Sequence, residues 1–204
     1  MKYNFADLTL KDVMQMLHQL DFTPWQLAAP PRLPSDFLQE ALRRFDAFNL
    51  TNSEAAKLLL IDALFAEIVP LHPNLRVWKA APLESDTLTG VADYLIAPKR
   101  AYLATPLLCV TEAKRDDFDA GQVQCIAEMA ACQWNNRQEG HDVDVYGVVS
   151  NGQGWVFYRL TVAGEVFQTE LYALRDLPEL LGALDHVISA CARNVPSSTN
   201  PLAQ

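Results

Sequence analysis

The 204-residue chain contains no run of 18 consecutive apolar residues and so offers no membrane-spanning helix. Its start, Met1 to Leu10, lacks the uninterrupted apolar stretch of a secretory signal, so cytoplasmic residence is the expectation. Cysteine is sparse. Cys109, Cys125, Cys132 and Cys191 form no close CxxC pairs, which favours structural thiols over metal ligation or a redox role. Positive charge is scarce as well: 16 Lys plus Arg against 25 Asp plus Glu give a formal net charge of −9. That balance excludes a broad cationic track along a nucleic-acid backbone. It does not exclude a nucleic-acid substrate, because a divalent metal in a carboxylate-lined site reverses the local sign. The glycine-bearing stretch Ser150-Asn151-Gly152-Gln153-Gly154 has no GK[ST] ending and marks a turn, not a phosphate loop. Asp116, Asp117 and Asp119 lack the ligand spacing of an EF-hand, and His18, His72, His141 and His186 are too dispersed to suggest a shared metal.

What is present is a composition for one globular domain: half the residues are hydrophobic and 20% are charged. Residues 1–34 are expected to form an N-terminal helical arm and linker, interrupted by Pro24, Pro30, Pro31 and Pro34, with Met14 and Met16 as core fillers. Ser35 is placed to cap a helix whose stripe is Leu38, Ala41, Leu42 and Phe45. Ser53 precedes a second helix with Glu54 in its first turn, where the helix's positive end favours a carboxylate. Strands are expected from Leu75, from Thr89 to Pro98, and from Leu107 into Thr111-Glu112-Ala113-Lys114-Arg115. Gly121 to Trp134 is expected as a helix. Two further strands should flank Asn151 to Gly154, with Trp155, Phe157 and Tyr158 in the core, followed by a short strand at Glu165 to Glu170 and a helix at Leu177 to Ala192. The expected fold class is α/β, a mixed central sheet flanked by helices. Residues 193–204 are expected as a flexible tail.

The informative pattern is Gly90-Val91-Ala92-Asp93 followed by Glu112-Ala113-Lys114. If the two segments are adjacent strands, Asp93 and Glu112 converge, and alternation puts Lys114 on the side of Glu112. Two hard-oxygen ligands beside a cation suit Mg²⁺ and phosphodiester chemistry. Lys99, Arg100 and Arg115 add positive charge near this pattern, with Arg100 a phosphate contact or an ordinary solvated strand end.

In this order, GxxD, then ExK, then a QxxxE beginning at Gln124, the chain resembles the PD-(D/E)XK nuclease-like superfamily, especially the nuclease domains of restriction and recombination enzymes. The resemblance covers residues 35–192 and implies a restriction-endonuclease-like core. Ala92 stands before Asp93 where the pattern that names the family has proline. The resemblance implies that Asp93 and Glu112 bind Mg²⁺, with Mn²⁺ as a substitute, and that Glu54 orients the metal or its hydration shell. It assigns Lys114 to the attacking water and Gln124 to support of the active site, with Gln122 as the less favoured alternative. DNA is then the favoured substrate and RNA the second, with a homodimer or a separate recognition protein supplying affinity. The competing reading is a noncatalytic nucleic-acid or protein interaction module, or an accessory subunit, on the same frame.

Overall fold

The structure, a computed structural model, describes residues 2–50, 54–114 and 118–196, the side chains of residues 54 and 55 excepted. Elements follow one another as β1 (Tyr3–Asn4), α1 (Leu10–Met16), β2 (Thr23–Pro24), α2 (Asp36–Phe45), α3 (Glu54–Ile68), β3 (Leu75–Glu84), β4 (Leu88–Pro98) and β5 (Cys109–Ala113). They continue as α4 (Phe118–Gln138), β6 (Val145–Ser150), β7 (Gly154–Leu160), β8 (Val166–Gln168), β9 (Tyr172–Ala173) and α5 (Leu177–Arg193). Ser35 Oγ accepts the Leu38 N–H at 3.2 Å and starts α2 as expected, while the expected cap of α3, Ser53, lies outside the described residues.

One sheet runs in the order β1-β4-β5-β6-β7-β8-β2, with β3 added on β4 and β9 on β7. β4 runs antiparallel to both β3 and β5; β5 and β6 are parallel, joined across α4. Apolar side chains fill both faces. Tyr94, Ile96, Cys109, Val148, Trp155 and Phe157 pack with α2, α3 and α5. Leu95, Val110, Val149, Val156 and Tyr158 pack with α4, Phe5 and Val13. The chain is therefore a mixed α/β fold, a central sheet flanked by helices.

The β3–β4 pair carries one irregularity. Lys79 pairs with Tyr94 and Ala81 with Ala92, but the intervening Ala80 and Asp93 do not pair, although the register resumes unshifted. Ala80 has φ of 48°, a left-handed conformation that costs an L-residue about 1 kcal/mol. Side-chain alternation reverses there. Leu75 and Val77 pack towards α3 and α5, whereas Ala81 and Leu83, of the same parity, pack towards α4. In β4, Tyr94 and Ile96 face the first side and Leu88 and Ala92 the second.

The arm contains the helix α1 and adds two short strands to the sheet. Its first strand pairs with Leu88 and Thr89 of β4, and β2 pairs with β8. Helix α1 spans seven residues, opened by a Thr9–Asp12 capping box. Two turns offer only one buried face, so Met14 is buried while Met16, expected in the core, is 40% exposed. Phe5 is buried against Gly90, where a Cβ would collide with its ring. Gly90→Ala is therefore expected to destabilise the protein by about 1–3 kcal/mol through overpacking, measured by urea denaturation. Proteolysis within residues 2–22 should accelerate in the same variant.

Candidate active site

One edge of β4 is shared by two strands: β1 covers Leu88 and Thr89, and β5 covers Tyr94 to Ile96. Gly90 to Asp93 lies in the gap between them. The β4–β5 ladder stops at Tyr94 and Thr111, and the next facing residues are Asp93 and Glu112. Their carboxylates replace the missing ladder. Asp93 Oδ2 accepts the Ala113 N–H at 2.9 Å, and Glu112 Oε1 accepts the Asp93 N–H at 3.5 Å. The reciprocal clamp satisfies backbone donors that diverging strands would leave unpaired, and it fixes both acids side by side.

Lys114 follows β5 directly, its N–H still bonded to Ser150 O of β6 at 2.9 Å. Its Nζ lies 3.2 Å from Glu112 Oε2 and donates to Gln124 Oε1 at 3.0 Å. α4 comes close enough for this contact because Gly121 has no side chain: a Cβ there would stand 2.8 Å from Lys114 Cγ and 2.8 Å from Val149 Cγ1. Gln124 Nε2 in turn donates to Glu128 Oε1 at 3.2 Å.

Glu112 and Glu128 are both fully buried. Burial pushes the Glu112 carboxyl up, aided by the nearby Asp93 charge and opposed by Glu128 and Lys114. Burial pushes Glu128 up much further, with the Glu112 charge adding to it. Were both ionised, two buried carboxylates would face each other and Glu128 Oε2 would lack a hydrogen-bond donor. A proton held by Glu128 and donated to Glu112 removes that conflict and leaves Lys114 opposite a single buried charge.

Asp93, Glu112, Lys114 and Gln124 thus meet at one place. Glu54 is the first residue of α3, but its side chain lies outside the described residues, as do Arg115, Asp116 and Asp117. Gln122 points elsewhere, to Tyr158 OH at 3.2 Å and Gln168 Oε1 at 3.1 Å. Lys99 and Arg100, expected near the acids, sit at the opposite end of β4, roughly 20 Å of extended chain from Asp93. Glu128, the last residue of the QxxxE pattern, was given no role of its own in the sequence reading. Its signal was the i,i+4 spacing from Gln124, which stacks the two side chains on one helix face. That reading missed the arm, whose Phe5, Ala6 and Leu8 form one wall of a cleft of about 600 Å³. Lys114, Asp119, Val123 and Gln124 line the other side.

Compared with known proteins, the chain matches no family model and no curated sequence. Among the described residues, no group of three or more His, Cys, Asp or Glu side chains is disposed to hold a metal ion. Asp93 and Glu112 supply two carboxylates, and Mg²⁺ commonly takes only one or two from a protein, completing its octahedron with water and substrate oxygens. Glu112 Oε2, buried and held by the Lys114 ammonium at 3.2 Å, is a hard oxygen suited to such an ion.

The raised acids have a signed consequence for stability. Above the ordinary glutamate value of 4.5, the folded protein holds protons that the unfolded chain has released. This contribution to stability therefore declines as pH rises from there through the folded values. Urea denaturation between about pH 5 and pH 8 should show a flatter decline in Glu128→Gln than in the wild type. Parallel pH profiles would contradict the shared proton.

Proposed function

We propose that this protein is a Mg²⁺-dependent nuclease that hydrolyses nucleic-acid phosphodiesters, DNA ahead of RNA, on a restriction-endonuclease-like core. The observation that carries the reading is the meeting of Asp93, Glu112 and Lys114 where β4 and β5 part, with Gln124 of α4 behind the lysine. The order of elements supports it: α3, then the antiparallel β3, β4 and β5, then α4, then β6 parallel to β5. This is the order of the family that the sequence resembles.

Asp93 and Glu112 would hold the metal, with Glu54 assigned to its hydration shell by the resemblance. When bound, Mg²⁺ or Mn²⁺ supplies Lewis-acid polarisation of a phosphate oxygen. The chain's own groups do the rest. Lys114, seated between Glu112 and Gln124 at the cleft, orients the attacking water and offsets the negative charge that grows at the phosphate. The buried Glu112–Glu128 pair keeps bulk water away from the floor of the site, which strengthens the field of that ammonium. Substrate affinity must come from beyond the site, since the net charge is −9 and Asp119 lies on the cleft wall. A second copy or a recognition protein supplies it, and the isolated chain should bind naked duplex weakly and with strong dependence on salt.

The test is incubation of purified protein with linear, circular, single-stranded and mismatched substrates, with and without Mg²⁺ or Mn²⁺. Metal-dependent cleavage is expected, lowered at least about 100-fold in Asp93→Ala, Glu112→Ala and Lys114→Ala. Cleavage that survives all three substitutions would place the chemistry elsewhere. Absence of wild-type cleavage on every substrate, with no Mn²⁺ binding that Asp93 and Glu112 control, would favour the interaction module.

A further inference from the structure

The buried face of α4 carries three polar side chains that bond outside the apolar core, and two of them tie the helix to loops. Gln133 Nε2 donates to Thr161 O at 2.7 Å. Asn136 brackets Leu107, accepting its N–H at 2.6 Å and donating to its carbonyl at 2.8 Å. Glu128 is different, because its contacts are Gln124 and Glu112. It sits among Cys125, Met129 and Cys132, all buried, where an apolar residue would pack without the desolvation that a carboxyl incurs.

Its contact with Gln124 has a directional consequence. The two ends of an amide are a donor and an acceptor, and only one orientation suits Gln124. With Nε2 towards Glu128 Oε1, the carbonyl Oε1 is left facing the Lys114 ammonium. The flipped amide would set oxygen against oxygen at Glu128 and N–H against N–H at Lys114. We propose that Glu128 is a positioning residue: by fixing the amide of Gln124 it seats Lys114 Nζ between Gln124 and Glu112. Its consequence for turnover rests on the nuclease reading, whereas the seating of the lysine does not.

The experiment compares Glu128→Met, which removes the acceptor, with Glu128→Gln, which keeps a carbonyl for Gln124 Nε2. In protein labelled at its six lysines, the side-chain ammonium resonance of Lys114 is identified by its loss in Lys114→Arg. In the wild type that resonance should be shifted and protected from exchange. In Glu128→Met it should move to the solvent-exposed range. The maximal cleavage rate should fall about 100-fold through misplacement of the ammonium, with duplex affinity measured in Ca²⁺ unchanged. Glu128→Gln should restore most of both readouts. A folded Glu128→Met with an unchanged Lys114 resonance would overturn the proposal, as would a Glu128→Gln as impaired as Glu128→Met. Should Glu128→Met not fold, Gln124→Met removes the same link from a half-buried position, and a wild-type Lys114 resonance in that variant overturns the proposal equally. If the wild type cleaves nothing, the nuclease reading falls and the resonance alone decides the role of Glu128.

Discussion

The site depends on a fault shared by two strands. At Ala80 and Asp93 the β3–β4 pair loses one rung and exchanges its faces, yet keeps its register. Inward of that point β4 serves the core under α3 and α5; outward of it the same parity serves the core under α4 and the arm. An uninterrupted ladder would carry β4 and β5 on past Tyr94 and Thr111 and would hold the Asp93 and Ala113 backbone groups in regular pairing. The strain at Ala80 is small against what it permits, a short stretch of β4 whose backbone donor is free to meet a side chain. The two acids are consequently structural as well as chemical. Removing either carboxylate leaves a part-buried backbone N–H without its acceptor, so an asparagine at 93 separates loss of charge from loss of the clamp in a way that alanine does not.

Charge bookkeeping in this space follows from burial. Among the described residues, Asp93, Glu112 and Glu128 lie within electrostatic reach of one another, and the Lys114 ammonium answers them. Two buried neighbouring carboxylates cannot both stay ionised at neutral pH without a large desolvation penalty. Burial and the Glu112 charge raise Glu128 further than Glu112, which favours the proton on Glu128 and the charge on Glu112, beside Lys114. That asymmetry leaves the charged pair at the strand edge, beside the cleft, and the neutral acid behind it on α4.

Much of this was legible in the sequence. The Ser35 cap, the turn from Asn151 to Gly154 and the buried Trp155, Phe157 and Tyr158 followed from local chemistry, since each depends on near neighbours alone. The meeting of Asp93 with Glu112 and Lys114 followed from assuming adjacent strands. Alternation along β5 puts Glu112 on the face of Val110, towards α4, and Lys114 continues past the strand's end to the same place. The reversal at Ala80 was not legible, because alanine gives no sign of a left-handed backbone and period-two reasoning assumes that a strand keeps its faces. Glu128 was legible as the end of the QxxxE pattern but not in its role: a helix read for its packing stripe does not show that one acid among Cys125, Ile126, Ala127 and Met129 faces Glu112 of a strand. Lys99 and Arg100 were misplaced because nearness in sequence was taken for nearness in space, whereas an extended strand separates residues faster than any other structure.

The arm and the clamp divide the work of the cleft. The clamp's hydrogen bonds run only between β4 and β5, and the lysine's seat involves only β5 and α4. None of these bonds involves the first 34 residues. The wall opposite Lys114, by contrast, is made by Phe5, Ala6 and Leu8, held in place by the β1 pairing and by the hollow that Gly90 leaves for Phe5. A change in the arm therefore alters what reaches the lysine without altering how the carboxylates are held. A change at Asp93 or Glu112 does the reverse. Among the described residues the cleft sets Lys114 and Gln124 beside Asp119 and apolar walls, so the arm shapes access to the lysine while the strand edge fixes the carboxylates.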